Sequence, residues 1–362
     1  MDDARIRSLF DRAVRIAVRG HGGVDPNPMV GCVIARDDGS VIAEGFHRRC
    51  GGPHAEVEAL RAAGDSARGA IAVVTLEPCA HTGRTGPCTE ALRNAGVGRV
   101  YYAVRDPNPS AKGGAEQLRA WGIDAVEFPH SGAQELARPF LKRVSSGLPW
   151  MCAKWAQSID GAIALASGES KWISCGRSRA LVHRERARVD AILTGIGTVL
   201  TDDPQLSPRG VRIQRIPMRV VFDPEVRTPA SAKVCDRSAQ TVLLVAPELD
   251  VGARARLREL NELGVSSIEL GGALEIRPAL AHLARAGVAR VLVEAGGGLL
   301  GRLMREQLVD EAWVFVGPLL VGDDGAQRPA RGLGPASMAA VQRARLISAR
   351  QRGSDALLHY RF

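Results

Sequence analysis

Three potential metal ligands lie at the boundaries of predicted strands and helices. His54 opens a segment with helical spacing of apolar residues, Cys79 lies just past an apolar, β-branched run, and Cys88 immediately precedes a short predicted helix. Alternating strands and helices form layered α/β structures, and a helix start favours the thiolate form of a nearby cysteine. If the three residues bind one ion, the fold must bring these boundaries together.

One histidine and two cysteines form a donor set that suits zinc. Three protein ligands leave the fourth tetrahedral position for water, which marks a catalytic rather than a structural site. Zinc lowers the pKa of such a water toward neutrality. Glu56 lies two residues from His54, so it can lie beside the metal, take a proton from this water and return it. A His-x-Glu motif followed by two cysteines is typical of zinc deaminases. The alternative interpretation is that these are ordinary buried residues.

Predicted strands and helices alternate along both halves of the chain. Residues 2–19 have the periodicity of an amphipathic helix. Residues 143–149 (RVSSGLP) are polar, contain Ser, Gly and Pro, and resemble a linker. A chain of 362 residues is expected to hold about two domains. We therefore predict two α/β domains, residues 1–146 and 147–362.

The composition limits the possible partners. The net charge of +9 is compatible either with nucleic acid or with pockets for anionic small molecules. However, the basic residues are dispersed among acidic ones, and aromatic residues make up only 4% of the chain. Single-strand binders need aromatic surfaces on which bases stack. We therefore expect a small-molecule substrate and no nucleic acid.

The cysteine count and the hydrophobic pattern bear on the compartment. Seven cysteines, an odd number in a chain of this size, argue against a disulfide framework. The first residues alternate charged and apolar side chains and do not resemble a signal peptide. No apolar run is long enough to span a membrane. We expect a cytoplasmic protein without a membrane partner, and self-association into a homo-oligomer stays open.

A glycine-rich segment in the second half has the features of a phosphate-binding turn. Residues 294–301 (EAGGGLLG) follow a predicted strand and open a predicted helix. Glycines at this point let a phosphate approach the free N–H groups of a helix start. The turn comes late in its domain, whereas a Rossmann fold places it after the first strand. The segment indicates either a phosphate site in a non-Rossmann fold or tight packing of a helix against a strand.

The long spacer between the two cysteines resembles one known family. Residues 77–88 (EPCAHTGRTGPC) follow the EPC-x-H-x-G-R-T-x-P-C pattern in the deaminase half of bifunctional riboflavin-biosynthesis deaminase–reductases. Residues 26–34 (PNPMVGCVI) and 106–109 (DPNP) resemble two further segments of that half. The resemblance implies a cytidine-deaminase-like α/β/α sandwich that catalyses zinc-dependent hydrolytic deamination of a diaminopyrimidine ribosylamine phosphate.

Three segments of the second half resemble the reductase domain of the same family. They are residues 154–161 (KWAQSIDG), 170–174 (SKWIS) and 195–206 (GIGTVLTDDPQL). In this family the domain is dihydrofolate-reductase-like and uses NADPH. The resemblance implies that the second domain reduces the ribosyl side chain of the deaminated pyrimidine to ribityl.

The resemblance also implies roles for individual residues. Zinc would bind His54, Cys79 and Cys88, the proton would pass through Glu56, and the pocket would include Asn27 and His47. Residues implied to face the nicotinamide cofactor are Ala156, Trp172, Thr198, Asp202, Gly296, Gly297, Gly298 and Gly301. Residues implied to face the substrate are Ser170, Arg186, Leu206, Arg209 and Glu294. Arg186 and Arg209 would clamp a ribose phosphate, since guanidinium binds phosphate bidentately; a surface salt bridge is the alternative.

Three positions depart from the family pattern, and two other functions stay open. Gly86 stands where proline is commoner, Cys175 where small residues are usual, and Glu185 where leucine is expected. One alternative is a nucleotide or nucleic-acid deaminase with an accessory domain. This alternative does not explain the motifs between residues 154 and 209. The other is a second half that only binds a ligand or builds an oligomer.

Overall fold

The computed structural model of the protein describes residues 1–81, 86–108, 113–213 and 215–362. These residues divide into two units, Met1–Gly147 and Leu148–Phe362. No helix within the described ranges has both the length and the apolar character that a membrane span requires.

The first unit is built on a five-stranded sheet. Its strands are β1 (Gly31–Ala35), β2 (Val41–Phe46), β3 (Ile71–Val74), β4 (Arg99–Tyr102) and β5 (Asp124–Glu127). Its helices are α1 (Asp3–Ala17), α2 (Ala55–Ala63), α3 (Cys88–Asn94), α4 (Gly114–Ala120) and α5 (Ser131–Ser146). The strand order is β2-β1-β3-β4-β5, in which β1 runs antiparallel to β2 and β3 and the remaining pairs are parallel.

The central strands of this sheet are covered on both faces. Every residue of β1 and of β3 is buried. Because successive side chains of a strand point to opposite faces, full burial requires a layer on each side of the sheet. Helix α1 contributes to this cover with Ile6, Phe10 and Ala13, which all belong to the apolar core. The unit is therefore an α/β sandwich, as the alternation of predicted elements indicated.

The second unit contains a nine-stranded sheet. Its strands are β6 (Trp150–Gln157), β7 (Ala191–Gly195), β8 (Met218–Phe222), β9 (Thr241–Val245), β10 (Ser266–Glu269), β11 (Arg290–Val293), β12 (Glu311–Val316), β13 (Arg345–Arg352) and β14 (Asp355–Arg361). Its helices are α6 (Gly176–Arg186), α7 (Ile196–Asp202), α8 (Val251–Glu262), α9 (Arg277–Arg285) and α10 (Gly297–Arg305).

The strand order of the second sheet determines where a ligand can bind. The order is β10-β9-β8-β7-β11-β6-β12-β14-β13, and every pair from β10 to β12 is parallel. Strands β12, β14 and β13 pair antiparallel. Parallel strands present all their carboxyl ends at one edge, which is where ligands of open α/β sheets bind. The ends of β6, β7 and β11 are neighbours at this edge.

The predicted linker at residues 143–149 is wrong over its first half. Helix α5 continues to Ser146, and Gly147 follows it with a φ of 69°. Glycine tolerates this left-handed conformation and commonly ends helices for that reason. Leu148 is already buried in the core of the second unit. The polar composition of the stretch thus reflects the exposed last turn of a helix rather than a flexible connection.

Candidate functional sites

The structure brings His54, Cys79 and Cys88 together. His54 is the N-cap of α2, Cys79 lies in the loop after β3, and Cys88 is the first residue of α3. Nδ1 of His54 lies 3.2 Å from Sγ of Cys88 and 3.6 Å from Sγ of Cys79. Zinc at its usual bond lengths in a tetrahedral site separates such donor atoms by roughly 3.5 Å. The three residues therefore fit a zinc ion with one open position.

The electrostatics of this cluster favour the thiolate form of Cys79. Hydrogen bonding from Cys88 and His54 lowers the pKa of Cys79 well below that of a free thiol, although burial opposes this. The backbone N–H of Cys88 also donates to Sγ of Cys79 over 3.4 Å. Thiolate is the form that binds metal, so the cluster provides a prepared anionic ligand.

Glu56 lies in the same pocket and is almost fully buried. Only 3% of its surface is exposed. Burial, and next the negative charge of Cys79, raise the pKa of Glu56 to about 7. A carboxyl group with a pKa near the working pH can both accept and return a proton. Its environment therefore suits the proton-transfer role implied by the sequence.

The pocket around this cluster has a volume of about 400 Å³ and includes Asn27 and His47. Nδ1 of His47 donates to the carbonyl oxygen of Pro53 over 2.9 Å. Nε2 is then left as an acceptor, and it lies 3.2 Å from Nδ2 of Asn27. Burial lowers the pKa of His47, which favours the neutral ring. The two side chains thus orient each other within the pocket.

A larger cleft of about 1050 Å³ lies in the second unit. It is lined by the predicted cofactor-facing residues Ala156, Trp172, Thr198, Asp202, Gly296, Gly297 and Gly298. It is also lined by the predicted substrate-facing residues Ser170, Arg186, Leu206, Arg209 and Glu294. The structure therefore gathers these two sets, which come from distant parts of the sequence, in one cavity.

The glycine-rich turn forms the start of α10 at this cleft. Gly296 is the N-cap of the helix, and a methyl group built on it would meet only Thr198 Oγ1, at 4.0 Å. The turn thus leaves space beside the first N–H groups of the helix, where phosphates bind. Gly297, in contrast, packs so closely on the carbonyl oxygen of Arg328 that no side chain fits. This arrangement suits the phosphates of a nicotinamide cofactor.

Gly301 packs against a neighbouring segment of the chain. It is absent from the cleft lining, and a methyl group on it would collide with the backbone of Arg331. Gly301 lies one turn into α10 and allows close packing of the helix against that segment. The structure thus gives Gly301 a packing role, and its predicted position beside the cofactor stays a prediction.

Arg186 lines the cleft and has partners within the protein. Its Nε and Nη2 donate to the two carboxylate oxygens of Glu294 over 2.6 and 2.9 Å, and its Nη1 donates to the carbonyl oxygen of Ser207 over 3.2 Å. All three nitrogens are thus engaged within the protein. The ion pair of Arg186 with Glu294 is largely buried, whereas Arg209 is exposed at the cleft. Phosphate binding by these two arginines stays a prediction.

The ion pair between Arg186 and Glu294 is joined by Lys154. Nζ of Lys154 lies 3.9 Å from Oε2 of Glu294. Burial raises the pKa of Glu294, but the charges of Arg186 and Lys154 outweigh it and lower this pKa to about 2. Burial lowers the pKa of Lys154. Glu294 is therefore a fixed anion in the cleft wall, and Lys154 is a functional candidate without an assigned role in the sequence analysis.

Comparisons with known proteins give a family match for each half of the chain. Residues 4–104 match the model of the cytidine and deoxycytidylate deaminase zinc-binding region. Residues 149–358 match the RibD C-terminal domain. The chain belongs to the RibD family. The RibD riboflavin biosynthesis protein of Escherichia coli K12 is 38% identical over 366 residues, covering 96% of this chain and 97% of that protein.

Solved RibD structures have the same fold over nearly the whole chain. RibD of Acinetobacter baumannii superposes with a TM-score of 0.87 and 38% identity, covering 99% of both chains. A Thermotoga maritima structure described as a diaminohydroxyphosphoribosylaminopyrimidine deaminase/5-amino-6-(5-phosphoribosylamino)uracil reductase gives a TM-score of 0.85 at 31% identity, again covering 99% of both chains. The predicted cytidine-deaminase-like and dihydrofolate-reductase-like folds are confirmed.

Membership of the RibD family confirms the predicted class of function. The chain is a bifunctional deaminase and reductase of riboflavin biosynthesis that acts on a small molecule. It combines a zinc-binding deaminase domain with a RibD reductase domain that uses NADPH. The alternative of a deaminase with an unrelated accessory domain is excluded, because residues 149–358 match the RibD reductase domain.

Glu77 opens the EPC segment, but the sequence analysis gave it no role. The buried carboxylate of Glu77 accepts the backbone N–H of Asp106 over 3.1 Å and that of Ala115 over 3.0 Å. Asp106 in turn accepts the backbone N–H of Asn108, which lines the pocket. Glu77 therefore fixes the backbone at Asp106 and Ala115. An acidic residue between an apolar strand and a proline was the available signal.

Parts of two family-like motifs lie outside the described residues. These parts are residues 82–85 of the spacer between the two cysteines and residue 109 of the DPNP segment.

Proposed function

We propose that the two activities are divided between the two units, with residues 1–146 forming the deaminase and residues 147–362 the reductase. The observation that carries this proposal is the grouping of His54, Cys79, Cys88 and Glu56 in one pocket of the first unit, while the glycine-rich turn lies in a cleft of the second. The lining residues of each cavity all come from a single unit, which supports the proposed division.

In the deaminase pocket, His54, Cys79 and Cys88 would hold zinc. When bound, zinc supplies a water molecule acidified toward neutrality. Glu56 would take a proton from this water on its carboxylate and return it to the departing amine. The water oxygen forms a bond to the ring carbon, the exocyclic C–N bond breaks, and ammonia leaves. Asn27 and His47 would bind the pyrimidine.

In the reductase cleft, the start of α10 would bind the cofactor phosphates through its free N–H groups. The cofactor would also contact Ala156, Trp172, Thr198 and Asp202. NADPH supplies a hydride, which would reach the anomeric carbon of the sugar in its open-chain or imine form.

The substrate side of the same cleft would include Ser170, Leu206 and Arg209. Arg209 would bind the ribose phosphate, since its guanidinium is exposed at the cleft. Glu294, held by Arg186, would face the sugar as a fixed hydrogen-bond acceptor. Arg186, which holds Glu294, would also lie on the substrate side of the cleft.

The test is to incubate the protein with the diaminopyrimidine ribosylamine phosphate and to follow product masses. Without NADPH we expect the deaminated ribosyl product alone, and with NADPH the ribityl product. A chain ending at residue 146 should retain zinc and deamination, and one beginning at residue 148 should bind NADPH. If either activity requires residues of the other unit, the proposed division is wrong.

We further propose a cytoplasmic location and the absence of nucleic-acid substrates. All seven cysteines are free thiols in the structure, the state expected in a reducing compartment. The 400 Å³ pocket that contains Glu56 is of a size that suits a small ligand. Homo-oligomer formation is a further proposal, which light scattering of the purified protein tests directly.

A further inference from the structure

Arg331 lies beside the glycine-rich turn at the start of α10. A methyl group built on Gly297 would lie 3.3 Å from Nε of Arg331, and one built on Gly298 would lie 3.9 Å from Nη2. The hydroxyl group of Thr198 also lies near the turn, since a methyl group on Gly296 would approach it to 4.0 Å. The guanidinium and the hydroxyl thus both lie close to the first residues of the helix.

The position of Arg331 is determined by its backbone. Its N–H donates to the carbonyl oxygen of Gly297 over 2.9 Å, and its carbonyl group packs directly on Gly301. The absence of side chains at Gly297 and Gly301 is what permits this approach. Because the backbone rather than the side chain makes these contacts, replacing the side chain should leave the segment in place.

The guanidinium of Arg331 contacts no carboxylate or carbonyl group in the described part of the chain, whereas most other cationic side chains of the cleft do. Lys171 pairs with Asp202 at 3.6 Å, and Lys233 pairs with Asp203 at 3.1 Å. The remaining engaged cations are Arg186 and Lys154 on Glu294 and Arg179 on the carbonyl oxygen of Ser174. Seven Lys and Arg residues line the cleft in the described part of the chain. Of these, Arg209 and Arg331 are the two whose side chains contact neither a carboxylate nor a carbonyl group.

The two available arginines lie on different elements. Arg209 follows the predicted substrate-facing residue Leu206, and its charge acts on His183 of α6. Arg331 instead contacts the start of α10. A guanidinium next to a helix start combines two phosphate-binding devices, a bidentate cation and unpaired backbone N–H groups. Substrate and cofactor of the reductase reaction both carry phosphate. The position of Arg209 suits the substrate phosphate, and that of Arg331 suits the cofactor phosphates.

We infer that Arg331 binds the diphosphate of the nicotinamide cofactor and so anchors it at the start of α10. This inference rests on the proposed assignment of the cleft to NADPH. The diphosphate is common to NADPH and NADH, whereas the 2′-phosphate is present in NADPH alone. The assignment therefore makes Arg331 a residue for cofactor affinity rather than for selection between the two cofactors.

The experiment is equilibrium binding of NADPH and of NADH to the full-length protein by titration calorimetry. Arg331→Ala should weaken both cofactors by a similar factor, roughly ten- to a hundredfold, as for a lost charged hydrogen bond. Arg331→Lys should retain part of the affinity, because an ammonium group still attracts phosphate but lacks the bidentate fork. Arg350→Ala removes an exposed arginine of β13 that does not line the cleft, and it should change neither affinity.

Each alternative outcome is distinguishable. Unchanged affinity of Arg331→Ala for both cofactors would overturn the inference, and a loss confined to NADPH would overturn the diphosphate assignment in favour of the 2′-phosphate. Failure of the unaltered protein to bind NADPH would instead overturn the proposed function of the cleft, and the inference with it. If Arg331→Ala does not fold, Arg331→Lys decides, since wild-type affinity for both cofactors in that variant would also contradict a bidentate contact.

Discussion

Glu185 should destabilise the second unit as pH rises, and its replacement should remove this effect. The residue lies in α6 at a position where the family pattern has leucine, and only 9% of its surface is exposed. Burial, together with the nearby charge of Glu311, raises its pKa from 4.5 to about 7, although Arg290 opposes the rise. The folded state therefore holds the proton of Glu185 more tightly than the unfolded chain does.

The size of the effect follows from this difference. One pKa unit corresponds to about 1.4 kcal/mol, so full ionisation of Glu185 costs the folded state about 3 kcal/mol. Below pH 4.5 the carboxyl is protonated in both states and there is no cost. The cost grows between pH 4.5 and 7, where the unfolded chain releases its proton first, and it is constant above pH 7.

Glu185→Gln preserves the shape of the side chain and cannot ionise, and Glu185→Leu restores the residue that the family pattern has. Relative to wild type, both should gain stability as pH rises from 5 to 8. Urea unfolding followed by tryptophan fluorescence measures this, because Trp150, Trp155, Trp172 and Trp313 all lie in the second unit. The matched control is Glu259→Gln, which alters an exposed glutamate of α8 in the same unit.

A constant stability difference between Glu185→Gln and wild type over this pH range would refute the reasoning. So would a lower stability of Glu185→Gln at pH 8, because it would show that the ionised carboxylate contributes a favourable pair with Arg290.

Three further predictions concern the proposed sites. Glu56→Gln should keep zinc but reduce deamination by roughly 10²- to 10⁴-fold, since an amide cannot relay a proton; metal analysis with product assays checks this, and near-normal turnover would exclude the role. Cys88→Ser should lose zinc and deamination together but keep NADPH binding, and full deamination in a zinc-free preparation would contradict the metal assignment. Arg209→Ala should weaken binding of the reductase substrate roughly ten- to a hundredfold, with deamination unchanged; equal loss of both activities would disprove separate sites.

The metal-binding residues of the deaminase pocket could be predicted from the sequence, because they lie in short segments where helices begin or strands end. His54 at the start of α2 and Cys88 at the start of α3 follow from local helix signals, and Cys79 follows from the end of a strand. Residue type and order then suffice to predict the donor set. The structure adds the burial of Glu56, which raises its pKa to about 7.

The pairing of charges in the reductase cleft was decided only by the tertiary structure. Arg186 and Glu294 are separated by 108 positions, and nothing in their local sequence indicates that they meet. They do so because β7 and β11 are neighbours in the sheet, which places the helix before β7 next to the loop after β11. The contact of Arg331 with α10 and the packing of Gly301 have the same origin. Periodicity and motifs predict the secondary structure of a segment and the functional groups in it. Distances between segments, in contrast, depend on strand order and packing.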